Sequence, residues 1–99
     1  MSLRGDQQRA FVKAFARLLL HAEFLGYKVT FPPEHTNHIK NSYHYIGLAK
    51  DINLFKDGKY IKKTNGHLPL GIYWELLGGT WGGRFRKRDG NHYSWGERR

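Results

Sequence analysis

The stretch Ser42-Tyr43-His44-Tyr45-Ile46-Gly47-Leu48-Ala49-Lys50-Asp51, read with a later Asp89-Gly90-Asn91-His92, decides how this chain is to be understood. It supplies two imidazoles and two carboxylates in a protein without a cysteine. An odd number of steps separates His44 from Asp51, so one unbroken strand would place them on opposite faces. Gly47 permits a break in that interval, after which Ala49, Asp51 and Asn53 share a face. Small Ala49 leaves space there, and Ser42 can reach the same region as a hydrogen-bond partner of a ligand. Gly90 similarly lets the segment from Asp89 to His92 curl so that both side chains converge. A hydrolytic zinc site needs three protein ligands, one open position and a base beside it. His44, Asp51 and His92 can be the ligands, and Asp89 can be the base.

Working outward, residues 6–25 read as one helix. Phe11, Phe15, Leu18, Leu19, Ala22 and Leu25 recur at three- and four-residue steps, with Asp6 as N-cap and Gly26 as the stop. Residues 27–31 alternate as a strand ended by Pro32-Pro33. Residues 48–61 predict a hairpin turning at Asp57-Gly58, a composition suited to a tight type I′ turn. Thr64-Asn65-Gly66-His67 and Trp81-Gly82-Gly83 read as loops. Pro69 opens a second helix that runs to Leu77 and stops at Gly78-Gly79. Residues 91–95 form a last short strand with His92 and Ser94 on one face and Tyr93 and Trp95 on the other. The expected architecture is a small α+β domain, residues 1–99 as one unit, with an antiparallel sheet and flanking helices.

Composition limits the alternatives. A chain of 99 residues with 39% hydrophobic and 15% aromatic content has room for one modest core. There is no apolar run long enough to span a bilayer and no apolar signal core behind Met1, so classical secretion is not expected. The absence of cysteine excludes disulfides and thiolate metal sites. A net charge of +9 draws the protein toward polyanions such as nucleic acid, an anionic wall or anionic lipid. The densest basic run, Arg84-Phe85-Arg86-Lys87-Arg88, comes immediately before Asp89. Six histidines and eight acids in 99 residues produce such His/Asp spacings by chance, so only their combination is informative. His21 in the first helix and His67 in a loop read as structural, as do Trp74 and Trp81, with Glu75 a solvated residue.

The pattern Ser42, His44, Gly47, Ala49, Asp51, followed by Trp74-Glu75-Leu76-Leu77-Gly78-Gly79-Thr80-Trp81-Gly82-Gly83 and then Asp89 with His92, resembles the zinc peptidases of peptidoglycan cross-links. That family includes D-alanyl-D-alanine carboxypeptidases, vancomycin-resistance carboxypeptidases and phage endolysins that cut between L-alanine and D-glutamate. The resemblance spans the first helix and residues 42–55, 68–83 and 89–93. The endolysin branch is the closer, through Asn53-Leu54-Phe55-Lys56-Asp57-Gly58-Lys59-Tyr60 and the tryptophan-glycine stretch. The resemblance implies a Hedgehog/DD-peptidase fold, zinc as cofactor on His44, Asp51 and His92, and Asp89 as general acid/base. It implies peptidoglycan stem peptides as substrate, and a phage or prophage product made in the bacterial cytoplasm and acting on the wall after release. The pattern departs from the family at Phe31, where members carry an arginine ahead of the turn; Lys28, His35, His38 and Lys40 are the nearby cations.

Two other readings compete. A basic nucleic-acid-binding module would use the charge and the three tryptophans for phosphate contact and stacking, but gives no reason for the His/Asp spacing. A family member that keeps its zinc, binds cell wall and has lost catalysis would fit the departure at Phe31.

Overall fold

The structure, a computed structural model, describes residues 3–33 and 42–98. His35, His38 and Lys40 lie outside the described residues. Helix α1 (Leu3–Phe24) buries Phe11, Ala14, Phe15, Leu18 and Ala22, the stripe expected from the spacing. It begins before Asp6, which lies in the first turn and pairs with Arg9 rather than capping the helix. After Gly26 the chain turns into β1 (Tyr27–Thr30).

Residues 48–61, expected as one hairpin, hold a strand of one sheet followed by a hairpin of another, the hairpin turning at Asp57-Gly58 as expected. β2 (Ala49–Asp51) and β3 (Asn53–Lys56) part at Ile52, whose N–H is taken by the Asn91 carbonyl at 2.9 Å. Ile52 is fully buried, so this one residue anchors the bend between the two sheets. β3 pairs antiparallel with β1 and with β4 (Lys59–Tyr60), and Asp57 and Gly58 take the positive φ angles that a type I′ turn requires. Helix α2 (Leu68–Leu76) starts with Pro69 in its first turn, as expected, after a 3₁₀ turn over Thr64–His67. The supposed loop at Trp81 instead opens with β5 (Thr80–Trp81).

β6 (His92–Ser94) lies between β2 and β5 in an antiparallel three-stranded sheet, so two small sheets replace the single one expected. Trp74 locks α2 to that second sheet. Its ring is fully buried, meets Phe11, Phe15, Tyr93 and Trp95 edge-on, and its indole N–H is directed at the Thr80 and Ser94 carbonyls, at 3.1 and 2.9 Å. Gly79 is required beside it, because a Cβ there would lie 2.2 Å from the indole. The tryptophan-glycine stretch is thus a packing device whose output is the position of β6.

Candidate metal centre

Each of the three ligand candidates is placed by a different local cause. His44 sits in a turn over residues 43–47, closed by Ile46 N–H to Ser42 carbonyl at 3.0 Å and Leu48 N–H to Tyr43 carbonyl at 2.8 Å. Gly47 at φ 75° ends that turn, which is the break the spacing called for. Gln8 of α1 ties the turn down through its side-chain N–H to the Ile46 carbonyl at 2.7 Å. Asp51 ends β2 and His92 begins β6, directly opposite each other in the ladder, so their side chains share one face. Ala49 and Ser94 form the next pair on that face, both small and both buried.

The three side chains converge. His44 Nε2 lies 3.2 Å from His92 Nδ1 and 3.3 Å from Asp51 Oδ1, and His92 Nδ1 lies 3.5 Å from the same oxygen. A tetrahedral zinc site with bonds of about 2.0–2.1 Å has ligand-to-ligand edges of about 3.3 Å, so this triangle is one face of such a polyhedron. Asp51 Oδ1 is buried without a well-formed hydrogen bond, although two ring nitrogens approach it. An unsatisfied buried carboxylate oxygen is costly unless a cation or donor meets it. Three convergent donors, two imidazole nitrogens and a carboxylate oxygen, match the chemistry of zinc and fit such an ion.

One carboxylate of the site was missed in the sequence. Glu97 Oε1 lies 2.6 Å from His92 Nε2, with both side chains 7% exposed. With Nε2–H donated to Glu97, His92 keeps its Nδ1 lone pair for the centre, the arrangement that fixes ligand tautomer and ring orientation in metal sites. The signal was faint: Glu97 follows Trp95-Gly96 beyond the last strand, where a charged residue reads as a solvated tail. Burial alone would push the Asp51 carboxyl up, but the close approach and charge of the His44 and His92 rings outweigh it and hold it well below the usual carboxylate range. Burial works against a charged His92 too, yet Asp51 and Glu97 raise its pKa above the ordinary imidazole value.

A cleft of about 570 Å³ opens beside the centre, lined by Ser42, Tyr43, His44, His92, Gly96, Glu97 and Arg98. Ser42 accepts the Tyr45 N–H at 3.1 Å, so it braces the turn that carries His44. Asp89 is not brought into this cleft. It is exposed and lines a neighbouring cavity of about 170 Å³ with Tyr60, Thr64, His67 and Arg88, while its carbonyl receives the His92 N–H at 3.1 Å. Gly90 allows close approach to Thr64, whose Cα would lie 2.7 Å from a Cβ.

Residues 35–95 match the model of the D-alanyl-D-alanine carboxypeptidase family. The chain belongs to that peptidase family. Its fold is also that of the L-Ala D-Glu endopeptidase ChiX of Serratia marcescens, at a TM-score of 0.62 and 15% identity, over 96% of this chain and 88% of that one. No curated protein matches the sequence. The family assignment makes this α+β chain a peptidase. Among the described residues, no helix is long and apolar enough to cross a membrane.

Proposed function

We propose that the chain is a zinc-dependent peptidase of bacterial peptidoglycan, cutting the stem peptide between L-alanine and D-glutamate. The observation that carries this reading is the triangle of His44 Nε2, Asp51 Oδ1 and His92 Nδ1, whose edges suit one small tetrahedral cation. Support for the bond comes from the endopeptidase that shares its fold over nearly the whole chain. A zinc ion held by these residues would supply a Lewis acid for the scissile carbonyl and lower the pKa of water to about 7.

The protein's own residues do the rest. Asp51 and the two imidazoles hold the centre, and Glu97 keeps the His92 ring from turning. Asp89 is the proposed proton carrier, taking the proton of the attacking water and returning it to the leaving amine. It is joined to His92 through its own carbonyl, and its exposed side chain is open to solvent and substrate. The exposed cations Arg86, Lys87 and Arg88 just before it favour approach of an anionic wall, an attraction that weakens with salt.

Digestion of purified sacculi, followed by mass spectrometry of the muropeptides, tests the reading. The expected products are glycan strands that keep only L-alanine at each cut stem and free peptides beginning with D-glutamate, with no reaction in chelator. Release of free D-alanine from otherwise intact stems would transfer the activity to the carboxypeptidase reaction.

A further inference from the structure

The cleft beside the metal centre has an uneven charge inventory. Among the described residues that line it, Arg98 is the one lysine or arginine and Glu97 the one carboxylate, already engaged with His92. Arg98 makes no hydrogen bond or ion pair with any other described residue. The segment that carries it is nevertheless fastened on three sides. Trp95 N–H donates to the Leu48 carbonyl at 2.9 Å, Tyr43 O–H donates to the Gly96 carbonyl at 3.0 Å, and Thr80 O–H donates to the Glu97 carbonyl at 2.7 Å. Those bonds reach it from β5, from the start of β2 and from the turn that carries His44. The backbone leading to Arg98 is therefore braced, and its guanidinium, at the wall of the cleft, has no partner among the described residues.

Phe31, by contrast, is turned elsewhere. It stacks on Phe15 of α1 and carries the Lys50 ammonium 4.7 Å above its ring. Lys28 lines a different cavity, with Leu19, Glu23 and Phe31. Among the described residues, the charged side chains at the cleft and the centre beside it are Asp51, Glu97 and Arg98, so that with a divalent ion present their balance is positive. The planar fork of a guanidinium pairs with a carboxylate through two parallel hydrogen bonds. The Ser42 hydroxyl, which uses its oxygen to accept Tyr45 N–H, keeps its own proton for the same ligand.

We propose that Arg98 recognises a carboxylate of the substrate, making this an enzyme for acidic peptides and Arg98 its specificity-determining residue. The proposal rests on the peptidase reading of the same cleft. It predicts a preference for a stem peptide whose glutamate α-carboxylate is free over one in which that group is amidated.

Binding of acetyl-L-alanyl-D-glutamate with its γ-carboxyl blocked as the methylamide, and of the α-amide of that same peptide, to the zinc-loaded full chain, followed by NMR titration, is the test. The wild-type protein should bind the acid about tenfold or more tighter than the amide, the scale of a charge-assisted hydrogen-bond pair. Arg98→Ala should erase that preference while leaving amide binding, zinc content and melting temperature unchanged. Arg98→Lys should keep part of it. Arg86→Ala, which removes an exposed cation that does not line the cleft, should keep nearly all of it. A wild-type protein that binds both peptides alike, or binds neither, overturns the proposal, and so does an Arg98→Ala variant that still prefers the acid. A wild-type protein that prefers the acid yet cleaves no muropeptide would instead remove the peptidase reading and leave Arg98 in its role.

Discussion

Two buried histidines lie on opposite sides of β6, and their environments drive them in opposite directions. His92 is 6% exposed and meets Asp51 and Glu97, which raise its pKa above the ordinary value despite burial. His67 is 3% exposed, has Tyr93 Oη 3.0 Å from its Nδ1, and burial pushes its pKa down to about 4. Tyr93 is the residue next to His92, facing the other way in the pleat. Burial alone thus makes a neutral, structural imidazole. Burial beside two carboxylates makes the imidazole proposed as a zinc ligand, and a one-residue step along a strand separates the two environments.

The sharpest contrast within the ligand side concerns its carboxylates. Asp89→Ala should retain zinc and fold but lose turnover by ~10²–10⁴-fold, the usual cost of a removed general base. Glu97→Ala should show the reverse split, with zinc affinity weakened by about 10–100-fold because the His92 ring is no longer held. Zinc stoichiometry measured beside turnover for each variant separates them. Normal turnover in Asp89→Ala would put the proton carrier elsewhere, and loss of zinc from that variant would make Asp89 a ligand.

The structural side of the comparison has its own signature in acid. The His67 pKa is about 4 in the folded protein against 6.5 for the free group, so the unfolded chain binds more protons between those values. Stability therefore rises with pH through that window, and acidification from about 6.5 to about 4 removes up to about 3 kcal/mol attributable to His67. Denaturant unfolding across that range should show the loss in the wild-type protein and a correspondingly flatter profile in His67→Gln. Equal slopes in the two proteins would mean that His67 is not the neutral buried imidazole described above.

Much of this was legible because the informative spacings are short. The interval from His44 to Asp51 contains the glycine that breaks it, and the alternation of His92 with Tyr93 follows from strand geometry. The helices were legible from their apolar stripes and from Pro69 and Gly26. What escaped depended on distant partners. Nothing near Ile52 says that its N–H belongs to Asn91, so the split into two sheets was hidden. Glu97 took its meaning from a histidine across a bend, and Gly90 from a close approach to Thr64. Local chemistry was readable wherever one segment set it; cross-chain pairing was not.

The central claim is that the cluster on the carboxylate side of β6 is a metal site and its neighbour is not. Elemental analysis of wild-type, His92→Ala and His67→Ala proteins, each offered zinc and then desalted, tests it directly. The account predicts about one zinc per chain in wild type and in folded His67→Ala, and none in folded His92→Ala. A wild-type protein that stays metal-free, or a His92→Ala variant that keeps its zinc, would contradict it.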